Sequence, residues 1–447
     1  MVAVNVFVLG LDEHNDQILR NLPDAGQYRF HPLLSIEELQ YGEEIPLRDL
    51  LDKARAQLTD FDGSVDAIIG FWDFPVSSMV PILCHEFGGL CCASLEAVVK
   101  CEHKYWSRLE QQKVIKEYPR FGLVDPKRDT DPPEGVSYPM WIKPVKSTSS
   151  DLAFGVANQQ EFQEALAQIR DGIGRIGAPF ETVLEHLGLP PEIAAVGGQV
   201  CLAEEAISGR QLTFEGYRYS GETHTLGVVD SVTHDGSPSF LRYQYPASIP
   251  DRVTERMVDI ADRVVVQVGL EHTTFNIEFF WDENTDALRV LEINPRHSQS
   301  HAELFAQVDG APNHLAMLRL VLGRDPELPR RQGPYRVAAK WFLRYWNDGV
   351  VRRHPTELEI ERVQREIPGV TVEVTAHEDD RLSELIGQDS YSYILANIYV
   401  GAQDEATLTD KYQQCIHALP FEIDEKVLTA SCERSHPCRM QSGRRNP

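Results

Sequence analysis

Positive charge is scarce in this sequence. Lys and Arg number 43 against 68 Asp and Glu, a formal net charge of −25 over 447 residues. So acidic a surface repels phosphate backbones and anionic membranes, which makes nucleic acid and lipid surfaces poor partners. Long apolar runs are missing as well: none approaches the ~20 residues a bilayer crossing requires. The first predicted strand, Val2 to Leu9, lacks a basic leader and a small-residue cleavage site, and the expectation is a cytoplasmic protein. The eight cysteines are scattered, several in apolar runs, where a free thiol acts as a small hydrophobe in a reduced compartment. Cys432, His436 and Cys438 match no standard zinc spacing, so a metal site in the tail is not expected. No Gly-x-Gly-x-x-Gly follows the first strand, which argues against dinucleotide binding.

What is present is an ordinary globular balance, 42% hydrophobic and 25% charged, in a chain too long for one core. Val2–Gly10 and Val65–Gly70 read as buried strands with a helical pattern at Pro46–Leu58 between them, the pattern of a parallel α/β unit over residues 1–100. Residues 96–115 are helical in pattern, and the Pro/Asp-rich stretch 124–138 reads as a loop. Met140–Pro144, Val200–Glu205, Leu212–Tyr219 and Thr223–Thr233 read as strands. Arg252–Val268 reads as a helix with one buried face. The composition resets beyond Pro334, and a smaller α/β unit is expected over 331–423. A tail, 424–447, has no periodicity and is expected to be disordered.

The strongest local pattern is a hairpin. Thr274–Phe280 and Ala287–Ile293 flank Asp282–Asp286, a turn composition. Side chains alternate along a strand, so Glu292 and Asn294 share a face. Glu278 lies between apolar Ile277 and Phe279, and pairing about the turn puts it opposite about residue 291, beside Glu292. Two carboxylates and an amide oxygen converging on one patch suit Mg²⁺, which takes its other ligands from water and phosphate. Arg296, just beyond, is placed to hold a developing oxyanion. The plain alternative is a hairpin whose solvent face carries ordinary acids.

Lys143 lies inside the apolar strand Trp-Ile-Lys-Pro, where a charge is costly unless it meets an anion. The following turn offers hydroxyls, Ser147 and Ser149 among them, for phosphate oxygens. Taken in order, Lys104, Ile142-Lys143-Pro144, Leu202-Ala-Glu-Glu-Ala-Ile-Ser-Gly209, Asn276-Ile-Glu278 and Glu292-Ile-Asn-Pro-Arg296 resemble the ATP-grasp superfamily. Arg381 to Tyr391 resembles the carboxy-terminal part of biotin carboxylases, which indicates the biotin-carboxylase-like branch.

The resemblance implies a mixed α/β fold. A Rossmann-like domain at 1–100 would precede an ATP-grasp domain at 101–330, with a flap subdomain at about 130–210. A biotin-carboxylase-like domain would follow at 331–423. ATP would be bound with two Mg²⁺, for which Mn²⁺ is an alternative. Lys104 and Lys143 would hold phosphates, and Lys143 and Arg296 would serve catalysis. Glu204 would take the adenine amino group, with Glu205 and Ile207 at the hinge. Gln211 stands where the family often has a ribose-binding glutamate. Glu278, Glu292 and Asn294 would hold the metals.

Where true biotin carboxylases place a Gln and a Glu after the arginine, Ser298 and Ser300 stand here, and Phe240 falls where a lysine is expected. The expected activity is therefore a carboxylate–amine ligase that works through an acyl phosphate and releases ADP, with amino-acid substrates. An ATP-dependent carboxylase and a non-catalytic nucleotide-binding subunit are the alternatives. Ser298, Ser300 and His301 would line the substrate cleft, and Arg344 would hold a substrate carboxylate. Trp72-Asp73-Phe74 follows a strand end where α/β sheets bind ligands. The partners implied are small-molecule acids and amines, with homodimerisation left open.

Overall fold

A computed structural model describes residues 3–424, apart from 43, 149, 150, 386 and 390. The predicted tail beyond Asp424, with Cys432, His436 and Cys438, therefore lies outside the described residues.

The amino-terminal part is a three-stranded parallel sheet in the order Tyr28–Leu33, Val4–Leu9, Ala67–Ile69. Period-two alternation sends Phe7 and Leu9 to one face and Val6 and Val8 to the other, and both faces are buried. One face packs on the helices Leu47–Thr59 and Val76–Glu86. The other receives Leu315 and Leu318 of the helix His314–Val321, so a distant segment covers this sheet. The Tyr28–Leu33 strand carries Arg29, His31 and Pro32, and this polar content hid it from sequence patterning.

The helical stretch at 96–115 is two helices, Leu95–Glu102 and Lys104–Val114. His103 breaks them apart: its Nδ1 accepts from the Trp106 amide, capping the second helix, and its Nε2 meets the Gly197 carbonyl at 2.9 Å. The break makes Lys104 the first residue of a helix.

A four-stranded antiparallel sheet follows, in the order Phe121–Val124, Cys201–Glu205, Met140–Pro144, Phe154–Val156, with Gln159–Gly172 packed on it. The largest sheet has eight strands, in the order Ala287–Asn294, Thr273–Asp282, Arg210–Tyr219, Glu222–Thr233, Phe240–Tyr245, Val337–Tyr345, Tyr393–Ala402, Val370–Val374. Phe240–Tyr245, not read from the sequence, joins its two halves. It pairs with Glu222–Thr233 on one side and Val337–Tyr345 on the other, so the ladder continues past residue 331.

The helix Asp251–Val268 buries Val253, Met257, Ile260, Ala261, Val264, Val265 and Val268 against Leu212, Phe214, Phe275, Ile277 and Phe279. The same alternation that turns these residues toward the helix turns their neighbours to the opposite face, where the polar side chains collect. Among the described residues no helix is long and apolar enough to cross a membrane.

Truncating Phe275, fully buried under this helix, to alanine is expected to cost about 3–5 kcal/mol. Val266→Ala, on the exposed face of the helix, is expected to stay within about 0.5 kcal/mol. Urea unfolding of the two variants checks the contrast.

Candidate active site

The hairpin register places Glu278 directly opposite Glu292 and Asn276 opposite Asn294. A bulge between Glu278 and Phe279 shifts the register by one position, which aligns the two acids where sequence arithmetic left them adjacent. On the other side of Glu278, Gln211 donates from Nε2 to its Oε2 at 2.9 Å. The position expected at a ribose thus orients a carboxylate here. Burial, then the charge of Glu292, push the Glu278 carboxyl well above its usual range. Asn294 Nδ2 donates to Asn276 Oδ1 at 2.9 Å, and Asn276 donates to the Arg296 carbonyl.

Lys104 faces this pair, with its Nζ 3.7 Å from Glu292 and 3.0 Å from the Ser147 carbonyl. Burial draws its ammonium below the usual lysine range; Glu292 opposes this, and Lys143 and Lys146 add to it. Lys146 itself is buried, 3.1 Å from Glu102 and between the rings of Phe74 and Phe180. Ser149 lies outside the described residues.

Two opposed carboxylates and one amide oxygen form a hard-oxygen set that would suit a divalent cation. Among the described residues no group of three or more His, Cys, Asp or Glu side chains could hold a metal, so such an ion would need ligands from water or a phosphate.

Lys143 and Glu204 sit together at the other end of the cleft. Lys143 Nζ is 2.6 Å from one carboxylate oxygen of Glu204, and Arg108 Nε is 2.5 Å from the other. Arg108 also donates to Gln111 and to the Leu291 carbonyl. Burial alone would raise the Glu204 carboxyl, yet Arg108 and Lys143 bring it down to about 2. Both oxygens of Glu204 are thus occupied by cations, and its carboxylate holds Lys143 in place. Glu205 reaches the exposed Arg120 at 3.2 Å, and Ile207 is half-buried beside the turn at Gly209. A Cβ at Gly209 would sit 2.5 Å from the Trp281 carbonyl oxygen, so only glycine admits this close approach.

Arg296 donates from Nε and Nη2 to Asp73 Oδ1 at 2.8 and 2.6 Å and from Nη1 to the His297 carbonyl. Burial alone would raise Asp73, but Arg296 holds it below its usual range. The Trp72 indole donates to the Gly10 carbonyl, which anchors this strand end.

The substrate-side residues fall into two groups. The Ser298 amide and His301 Nδ1 both meet Glu215 Oε1, at 3.0 and 2.7 Å, and Asn313 holds the other oxygen of Glu215. His301 is buried in this network. Arg344 gives Nε to the Phe240 carbonyl and Nη1 to Asp389 and Ser392, with its side chain 4% exposed, so its own chain engages it. Ser300 Oγ meets Lys340 Nζ at 3.3 Å.

Sequence reading missed Arg108, Glu215 and Lys340. Glu215 had a signal, since Gln211, Thr213 and Glu215 alternate against apolar Leu212 and Phe214.

Residues 136–302 match the family model of the ATP-grasp domain. The chain carries an ATP-grasp domain. No curated protein matches the sequence. Among solved structures, an L-amino acid ligase from Bacillus licheniformis superposes with a TM-score of 0.71 at 14% identity, covering 95% of this chain and 100% of that one. Biotin carboxylase from Campylobacter jejuni gives 0.64 at 15% identity, with coverage of 94% and 92%. N5-carboxyaminoimidazole synthase from Aspergillus clavatus gives 0.64 at 14%, with coverage of 93% and 98%. The fold is that of the ATP-grasp enzymes.

Because the folded-state carboxyl of Glu204 lies below its unfolded value, it contributes stability that is present above about pH 4.5. That stability is lost as the pH falls toward 2. Urea unfolding midpoints of the wild type are expected to drop through this window, with a shallower drop in Glu204→Gln. The variant is also expected to be less stable near neutral pH, because Lys143 and Arg108 lose their buried counter-charge.

Proposed function

We propose that this protein is an ATP-dependent ligase that joins a carboxylic acid to an amine through an acyl phosphate, releasing ADP and phosphate. The observation that carries the reading is the Glu278–Glu292 pair, held face to face across two strands with Lys104 above it and Arg296 beside it. Two carboxyl groups held this close cannot both ionise without a cation to join them, which suits the pair to a divalent ion.

Glu278, Glu292 and Asn294 would hold two Mg²⁺ ions, which when bound neutralise phosphate charge and polarise the transferring phosphoryl group. Lys104 adds a fixed positive charge on the same side. Lys143, held by Glu204, sits toward the hinge at Glu205 and Ile207, where the adenine and α-phosphate end of the nucleotide would lie. Arg296, clamped by Asp73, presents a preorganised guanidinium to the oxyanion of the acyl phosphate and of the tetrahedral adduct formed by the amine. The flap turn at Ser147 would exclude water, which otherwise hydrolyses the acyl phosphate.

Support for the ligase outcome comes from residues after Arg296. Ser298 and Ser300 have no carboxylate or amide to engage bicarbonate, and neither meets an activating base among the described residues. The likeness to an L-amino acid ligase points to amino acids as substrates.

A phosphate-release screen with amino acids singly and in pairs, followed by mass measurement, is expected to reveal an amide product formed with ADP. Bicarbonate-dependent ADP release without an amine would instead establish a carboxylase. Glu292→Ala is expected to fold and to lower turnover at least about a hundredfold. Near-normal turnover in that variant would refute the metal assignment.

A further inference from the structure

Lys340 is a buried lysine without a counter-ion among the described residues. It is 6% exposed and makes no ion pair among the described residues, whereas Lys104, Lys143 and Lys146 each have a carboxylate. Its Nζ reaches Ser300 Oγ at 3.3 Å and lies over the rings of Phe342 and Tyr399, at 5.2 and 5.4 Å. A buried ammonium with one weak hydrogen bond is costly and calls for an anion.

Carboxylates are close but do not touch it. Burial lowers the Lys340 ammonium, and the fields of Glu373 and Glu303 oppose that shift. Glu373 is already engaged by Asn397 Nδ2 at 2.9 Å and by the Tyr399 hydroxyl. Glu303 is not: its nearest cationic partner is His14, 3.8 Å away on an amino-terminal helix, and burial followed by the charge of Glu373 push its carboxyl up to about 7. Asn397 adds a buried Oδ1 with no partner. Tyr399 links Lys340 and Glu303: its ring is 5.4 Å from Lys340 Nζ and 5.9 Å from the His14 ring, which Glu303 approaches at 3.8 Å. Glu303 and His14, 19% and 24% exposed, reach solvent.

This cluster lies near the Glu278–Glu292 pair. Phe342 touches Lys340 on one side and the Tyr243 ring at 5.0 Å on the other, and Tyr243 lies in the fields of Glu278, Arg344 and Arg296. A carboxylate on Lys340 is therefore two rings removed from the Glu278–Glu292 pair and is not the group that is phosphorylated.

We propose that Lys340, Ser300 and Glu303 form a zwitterion subsite for an α-amino acid, whose free carboxylate meets Lys340 and Ser300 and whose ammonium meets Glu303. This rests on the ligase reading and deepens it: the amine-bearing substrate carries its own carboxylate, so the product is a peptide with a free carboxyl end and not the amide of a simple amine.

Calorimetric titration of the full chain with the free L-amino acids and their carboxamides tests the proposal. At least one amino acid is expected to bind about tenfold to a hundredfold more tightly than its carboxamide. Lys340→Met should erase that preference, and Glu303→Gln should weaken the free amino acid about tenfold, both with ATP affinity unchanged. Ser300→Ala, a smaller change that keeps the lysine, should weaken it a few-fold and serves if Lys340→Met fails to fold by circular dichroism. Equal binding of acid and amide, no amino-acid binding at all, or a preference that survives Lys340→Met in a folded protein overturns the subsite. Amide formation with simple amines alongside any of these would leave the ligase reading standing. Loss of ATP binding in the wild type would sink that reading, while an amino-acid preference that follows Lys340 would still support the subsite.

Discussion

Glu278 and Glu292 face each other on adjacent strands, and most of the surrounding structure serves to hold them there. Like charges at that spacing repel, and nothing in the pair itself keeps them together. They are held by the far side of the sheet, where Phe275, Ile277, Phe279 and Ile293 are buried under the Asp251–Val268 helix. Rotating either acid away would expose that apolar face, since a one-residue slip exchanges the two faces of a strand. Gln211 fixes Glu278 from the next strand, and Lys104 offers Glu292 partial compensation. The repulsion that remains is what a divalent cation would relieve.

Around this pair, polar groups tie the amino-terminal sheet to the loop that follows the hairpin. Asp73, at the end of the Ala67–Ile69 strand region, clamps Arg296 from a distance of more than two hundred residues along the chain. Glu215 gathers the Ser298 amide, His301 and Asn313, and His314 continues the line to Asn15 on an amino-terminal helix. Apolar packing runs beside these bonds, with Leu315 and Leu318 covering one face of the amino-terminal sheet. A buried network of this kind is rigid because any member left unpaired carries a desolvation penalty. The geometry of Arg296 is therefore set by the amino-terminal unit as much as by its own strand.

Much of this was legible beforehand. The hairpin, its two acids and the helix behind it could be read from alternation, turn residues and spacing, whereas the order of the lysine, hinge and acid motifs was read from the resemblance to the ATP-grasp superfamily. These are local properties, carried by residues within one or two elements. The strands that escaped, Tyr28–Leu33 and Phe240–Tyr245, carry arginine, histidine or glutamine among their apolar residues, and pairing, with one neighbour for the first and two for the second, overrides that weak preference.

By itself, the sequence determined which residues could share a face, because strand and helix periodicity is a property of the backbone. It also carries acids, lysines and an arginine in an order that resembles the ATP-grasp superfamily. Tertiary structure alone decided who meets whom. A bulge brought Glu278 opposite Glu292, Arg108 joined Lys143 on Glu204, Asp73 found Arg296, and Arg344 was taken up by Asp389 while Lys340 was left without an ion pair among the described residues. The physical reason is that the energy of a charge depends on distance and burial, and neither is written in the spacing of residues along a chain.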